Sequence, residues 1–383
     1  MEIPFHKPYI TEDEISGVVN ALSSGWITMG PTTVNFENTF REYIGTRNAV
    51  SMNSCTACLH LALKTIGLKE NDEVILPAMT FTATAEVITY FRAKPVLVDI
   101  EKETGNIDYR NIEEHINGKT KAIIPVHYAG QPCDMDEIAA IAKKYRLSVI
   151  EDAAHAVPAW YKNKKIGTLS DMTCFSFYAT KPITTGEGGM VTTENDEWAD
   201  RLRMLRLHGI SRDAWKRYTK EGSWYYEVME AGYKYNLTDL QAALGLAQLR
   251  KADWMWQRRK NIAALYSEAF TPCDELITPY VKSDRKSSWH LYVIKLNLEK
   301  LRIDRNQFIE ELKKRGILTS VHFIPLYRHP YYRNAHGYSL NGFSMSEWFY
   351  ERVISLPIYP GMTNEDVRSV TDAVADIAKN FSN

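Results

Sequence analysis

The chain has 383 residues, 45% of them hydrophobic and 24% charged, with 46 Lys and Arg set against 47 Asp and Glu. That length buries a substantial core and fits two domains of about 150 residues each on the usual prior. The charge balance excludes an electrostatic draw to nucleic acid or to an anionic membrane, and points to a small-molecule partner. The opening MEIPFHKPYITEDEISG carries neither an apolar signal core nor an Arg-rich amphipathic pattern, and no apolar run is long enough to span a bilayer. A cytoplasmic protein is expected. Five cysteines, Cys55, Cys58, Cys133, Cys174 and Cys273, are odd in number and thinly spread, against a disulfide framework. Cys55 and Cys58 spell C-x-x-C, but no second ligand pair follows at zinc spacing, so no metal is expected.

In chain order, N-S-C-T ahead of A-C-L-H-L-A-L-K-T-I-G-L predicts a buried helix from about Ser54, with Leu59, Ala62, Leu63 and Ile66 on one stripe and Gly67 as its stop. Apolar runs at 74–77, 95–100, 121–127 and 147–154 then alternate with helical patterns such as Ile138, Ile141 and Ala142. Continuous β-branched runs of this kind mark strands buried on both faces of a mostly parallel sheet, an α/β domain. T-C-F-S-F reads as a further strand, and T-T-G-E-G-G as a turn beyond it. A long helix is expected over 237–265, opened by T-D-L-Q in the manner of a capping box. After residue 277 come a strand in WHLYVIKLNL and helices over about 304–315 and 364–379, the pattern of a small α+β domain. The division is placed at residues 1–250 and 251–383. No G-x-G-x-x-G follows a strand, which argues against a nicotinamide enzyme.

Asp152 ends the apolar run S-V-I-E, and the carboxyl ends of parallel strands are where open sheets hold ligands. Lys181 follows the strand T-C-F-S-F, with Phe177 and Tyr178 as aromatic shielding. Taken singly, Asp152 reads as a cap and Lys181 as a surface charge. Together they suit a pyridoxal phosphate enzyme, which needs a readily deprotonated lysine for the aldehyde and an acid beside the ring nitrogen. The phosphate needs donors, and the helix beginning near Ser54 offers the Thr56 hydroxyl and the N–H groups of Thr56 and Ala57 at its positive end.

Six ordered motifs carry a wider resemblance: S-G-W-I-T-M-G-P, P-V-H-Y-A-G-Q-P-C-D-M-D, E-D-A-A-H-A, F-S-F-Y-A-T-K-P-I-T-T-G-E-G-G-M, G-Y-K-Y-N-L-T-D-L-Q-A-A-L-G and S-L-P-I-Y-P-G-M-T. From about residue 4 to residue 379 the chain resembles the DegT/DnrJ/StrS family of nucleotide-sugar aminotransferases, and looks most like the members that aminate C4 of a 4-keto sugar, the UDP-4-amino-4-deoxy-L-arabinose type. The resemblance implies the aspartate aminotransferase-like fold, type I of the pyridoxal phosphate-dependent transferases, with a seven-stranded type of sheet, and a homodimer with active sites at the interface. It implies pyridoxal phosphate held covalently on Lys181, Asp152 at the ring nitrogen, and Ser176, Thr56 and Ala57 on the phosphate. His155 falls near the ring hydroxyl and Phe81 on the ring face. Read alone, Ser176 is an ordinary strand residue, Phe81 a core residue and His155 a structural histidine.

Two departures stand out. Many relatives have glycine where this chain has Cys55, and many read G-Y-N-Y-R where it has Gly232 to Asn236, so Lys234 or Asn236 takes the place of an asparagine that reaches the partner's phosphate. The expected reaction is a ping-pong transamination: L-glutamate leaves as 2-oxoglutarate, pyridoxamine phosphate carries the amine, and a UDP- or dTDP-linked keto sugar receives it. Trp26, Thr28, Met29, His322, Phe323 and Tyr327 are candidates for contacts with that sugar nucleotide. The competing readings are a C3 aminotransferase, a sugar dehydratase and a non-catalytic regulator; relatives that act as dehydratases have histidine at the Lys181 position.

Overall fold

The apolar runs condense into one sheet because each is flanked by helices that cover both of its faces. In a computed structural model, which describes residues 2–211, 225–339 and 342–383, the strands are β1 (Asn48–Met52), β2 (Glu73–Pro77), β3 (Lys94–Val98), β4 (Thr120–Ile123), β5 (Ser148–Asp152), the short hairpin β6 (Trp160–Tyr161) and β7 (Lys164–Lys165), β8 (Met172–Ser176) and β9 (Gly189–Thr193). Seven of them form a sheet in the order β1-β9-β8-β5-β4-β2-β3. The neighbours from β3 through β8 pair in parallel. Only β9 is reversed, pairing antiparallel with β1 and with β8.

Successive strand residues point to opposite faces. Ile75, Val149 and Phe175 enter one core with α2 (Pro31–Ile44), α5 (Met135–Tyr145) and α7 (Asp239–Arg250). Val74, Leu76, Ile150 and Cys174 enter the other with α3 (Cys55–Thr65), α4 (Thr82–Thr89) and α6 (Asp196–Leu205). This is the expected α/β sandwich, and the run F-S-F is explained by it. Phe175 and Phe177 turn into the α2 side, where Phe177 lies 5.4 Å from Phe36 and 5.5 Å from Phe40, ring centre to ring centre. Ser176 is thereby left facing the other way.

A separate core surrounds the antiparallel sheet β10 (Leu276–Ile277), β12 (Tyr292–Leu296) and β13 (Val353–Leu356), with α8 (Ala252–Phe270) and the helices Arg305–Lys314 and Asn364–Asn380 packed on it. A two-residue strand, β11 (Arg285–Lys286), joins the β6–β7 hairpin. One expectation fails here. The helix over 237–265 is two helices, α7 and α8, broken at Lys251 (φ −113°, ψ 12°). The Lys251 amine bonds Glu14 (2.7 Å) and Thr11 (2.7 Å) at the start of α1 (Glu12–Ser23), a long-range contact at the break that pattern reading does not see.

The start of α2 is held from the far end of the chain. Asp239, almost wholly buried as the first residue of α7, accepts the N–H groups of Gly30 (2.8 Å), Thr32 (3.1 Å) and Thr33 (2.9 Å) and the Thr33 hydroxyl (2.6 Å). A carboxylate there satisfies donors that a helix cannot pair for itself and meets the positive end of its dipole. Replacing Asp239 with Ala strands these buried donors, and should lower stability by about 3 kcal/mol in urea unfolding, with Asp239→Asn losing less.

Candidate active site

The site forms where α3, the ends of β5 and β8, and the turn after β8 meet around a cavity of about 350 Å³. That volume is in the range of small-ligand pockets. Thr56, Phe81, Asp152, His155, Ser176, Lys181, His322 and Phe323 all line it.

Asp152 is the last residue of β5. Its Oδ2 accepts the Thr84 hydroxyl at 2.7 Å and its Oδ1 the Ala154 N–H at 3.1 Å. Burial raises its pKa above the usual carboxylate range, while these two donors and the Lys181 charge act in the opposite sense. Lys181 follows a turn closed by its own N–H to the Tyr178 carbonyl (2.9 Å). Burial lowers its pKa to about 8, against the pull of Asp152. Its amine is therefore a much better nucleophile near neutrality than a surface lysine. Of the two aromatic residues expected to shield it, only Tyr178 reaches the cavity; Phe177 is committed to the core against α2.

The phosphate cradle is narrower than expected. Ser54 caps α3, its Oγ accepting the Ala57 N–H at 3.1 Å, so that donor is already engaged and Ala57 is buried away from the cavity. Thr56 and Ser176 remain, with the positive end of α3 behind them. Gly189 makes the arrangement possible: a Cβ there would lie 2.7 Å from Cys55 N and from Ser54 C and O. A side chain on β9 would push the helix start off the strand.

His155, His290 and His322 line the cavity with the amine, and His6 lies near enough to feel its charge. His155 is fully neutral, its pKa driven well below the ordinary value by burial and then by Lys181, His322 and His127. Its ring stacks on Phe323 (5.9 Å, 29°) and touches His290 (4.4 Å), and its Nδ1 has no protein partner. Burial and Lys181 hold His322 at about 4, and its Nδ1 bonds Ser355 Oγ at 2.8 Å. Burial, Arg259 and Lys181 hold His6 at about 3, even though a hydrogen bond with the Ala179 backbone favours its protonated form. Phe81, the residue before α4, stays 58% exposed and leans on Phe323 (5.9 Å), free to cover a ring. Thr84 and His290 were missed from sequence. An isolated histidine in the apolar run WHLYVI was the only signal for the second, and Thr84 gave none.

Other expected residues stand apart from this cavity in a single chain. Trp26 folds back on its own loop, Nε1 donating to the Met29 carbonyl at 3.1 Å, and Met29 is buried beside α2. Thr28 is exposed, its carbonyl taken by Asp239 N–H. Lys234 is exposed in a bridge with Leu207, and Asn236 is buried with Nδ2 donating to the Leu237 carbonyl at 3.3 Å. Tyr327 corrects its expectation: it is fully buried, stacked on Phe343 at 4.5 Å, and is core rather than cavity wall.

The residues present fit pyridoxal phosphate: an amine of lowered pKa for its aldehyde, a buried acid for its ring nitrogen, two hydroxyls and a helix start for its phosphate, and an unpartnered imidazole nitrogen at the wall. The model of the DegT/DnrJ/EryC1/StrS aminotransferase family matches residues 8–375. The chain belongs to this family. It is 59% identical over 375 residues to an uncharacterized protein of Methanocaldococcus jannaschii, covering 98% of this chain and 97% of that one. It is 48% identical over 378 residues to SpsC, a spore coat polysaccharide biosynthesis protein of Bacillus subtilis, again covering 98% and 97%. A Streptococcus pneumoniae protein assigned as a sugar aminotransferase, solved in PLP and PMP forms, superposes with a TM-score of 0.93 in the PLP form, 36% identity and 99% coverage of each chain.

The amine chemistry is testable without substrate. In cofactor-free protein, labelling of Lys181 by an amine-selective reagent should rise through pH of about 8, because the free base predominates above the lowered pKa. Peptide mapping against pH checks this; a midpoint near the ordinary lysine value contradicts it.

Proposed function

We propose that the chain is a pyridoxal phosphate-dependent aminotransferase that moves the amino group of L-glutamate to the keto carbon, C4 favoured, of a UDP- or dTDP-linked keto-deoxy sugar. The observation that supports it is one cavity joining Lys181, Asp152, Ser176 and Thr56. SpsC serves spore coat polysaccharide biosynthesis, which favours a cell-surface glycan as the destination of the product. The working form is a homodimer. Trp26, Thr28 and Met29, remote from the cavity of their own chain, then serve the sugar nucleotide in the partner's site, and Lys234 or Asn236 reaches the partner's phosphate.

Bound pyridoxal phosphate supplies an electron sink beside the carbon whose proton is moved. The chain does the rest. Lys181 would hold the aldehyde, and its amine, once free, would move the proton to and from the donor's Cα. Its lowered pKa leaves a useful fraction as free base near neutral pH. Asp152, an acceptor held by Thr84 and Ala154, keeps a proton on the ring nitrogen. Ser176 and Thr56 would hold the phosphate, and Phe81 would cover the ring. His322 and Phe323 face the sugar, the imidazole neutral and able to hydrogen-bond a hydroxyl without adding charge.

Lys181→Ala should abolish the visible absorbance of lysine-bound cofactor and reduce glutamate half-reaction turnover by at least about 10³-fold, the scale of a lost acid–base group. Unchanged absorbance in that variant sinks the assignment. Incubation with glutamate and a panel of UDP- and dTDP-linked 3- and 4-keto sugars, with NMR location of the new amine, should show amination at C4. Amination at C3 alone replaces the C4 reading with the C3 one.

A further inference from the structure

A second acid lies behind Asp152. Glu151 precedes it on β5 and therefore points to the opposite face of the sheet, into the core shared with α2 and α5. Its side chain is wholly buried. Oε2 lies 2.7 Å from His127 Nε2, and Oε1 accepts the hydroxyls of Ser170 (2.6 Å) and Thr173 (2.8 Å).

The protonation of this group follows from its donors. The Cys133 N–H, which can only donate, lies 3.1 Å from His127 Nδ1. Nδ1 is thus the acceptor, and the imidazole proton sits on Nε2 and is donated to Glu151. His127 is neutral. Three donors converge on the carboxyl, so both of its oxygens act as acceptors. Among the described residues His127 is its only partner within ion-pair distance. The other titratable groups near it are the Cys133 and Cys174 thiols and Asp152, and Arg285, beyond Cys133, is tied to Asp134 and Asp284. A buried carboxyl is tolerated where hydrogen bonds satisfy it, as these three donors do. The backbone fixes His127 and the end of β5 to one another: His127 N–H donates to the Asp152 carbonyl (3.1 Å), and Asp152 N–H to that of Pro125 (2.9 Å).

We propose that Glu151 is an ionised positioning residue which, acting through Asp152, deepens the negative potential at the end of β5 and so keeps the ring nitrogen of pyridoxal phosphate protonated. Asp152 then faces the Lys181 nitrogen and the ring nitrogen from the cavity, with the Glu151 carboxylate behind it on the other face of β5. The inference rests on pyridoxal phosphate being the cofactor.

The test loads the protein with ¹⁵N-labelled pyridoxal phosphate and follows the ring nitrogen's chemical shift against pH. In Glu151→Gln the ring nitrogen should hold its proton about tenfold less tightly, the scale of one neighbouring charge in a protein interior. Glu151→Asp should stay close to the parent. A Glu151→Gln protein that binds the cofactor and titrates like the parent overturns the proposal. Should that variant fail to fold, ¹⁵N-histidine spectra of the parent decide: His127 must show a bare Nδ1 and a protonated Nε2 across neutral pH, and an imidazolium or the opposite tautomer overturns it. Failure of the parent to take up the cofactor at all overturns the functional reading and this inference together.

Discussion

The site depends on one close approach. Strand β9 passes so near the first turn of α3 that a single methyl group at Gly189 would collide with backbone atoms of Ser54 and Cys55. That contact brings the positive end of a helix over the ends of β5 and β8, where Asp152 and Ser176 already point. The reversed direction of β9 is part of the same geometry, because it lets the turn bearing Lys181 double back beside the strand that carries Ser176. Helix start, acid and amine are assembled by sheet topology rather than by loop length.

Within that frame, desolvation does the electrostatic work. Burial lowers the Lys181 pKa and raises that of Asp152, each opposed by the other's charge, so the pair stays poised instead of collapsing into a strong ion pair. The same burial keeps His6, His155 and His322 neutral. The cavity therefore surrounds its amine with hydrogen-bonding imidazoles that contribute no charge. An anionic ligand entering there meets the helix dipole and Lys181 instead of a general positive field.

Much of this was legible in the sequence because it is local. Buried strands read as β-branched runs, the α3 cap as N-S-C-T, and Lys181 as a lone amine between an aromatic strand and a glycine turn. Asp152 read singly as a cap, and only its pairing with Lys181 and the family motifs marked it for the cavity that it lines. What escaped depends on partners distant in the chain. The break between α7 and α8 falls at Lys251, whose amine meets Glu14, and the use of Ala57 N–H by Ser54 is a detail of cap geometry that composition does not carry. Phe177 and Tyr327 look like ligand-facing aromatics in a list of residues, and only the pleat and the packing of Phe36, Phe40 and Phe343 send them inward. Thr84 and His127 matter through side-chain hydrogen bonds that no spacing announces.

The tether between Asp239 and the start of α2 spans 209 positions of sequence between Gly30 and its partner. A chain leaving the ribosome would thus make α2 and most of the sheet strands long before the carboxylate that caps that helix. Until α7 docks, the three N–H groups near residue 30 must bond water, and the W-I-T-M-G segment ahead of them lacks its anchor. The cap on α2 therefore forms only after all seven strands of the large sheet have been made, joining the start of α2 to a helix that follows the last of them.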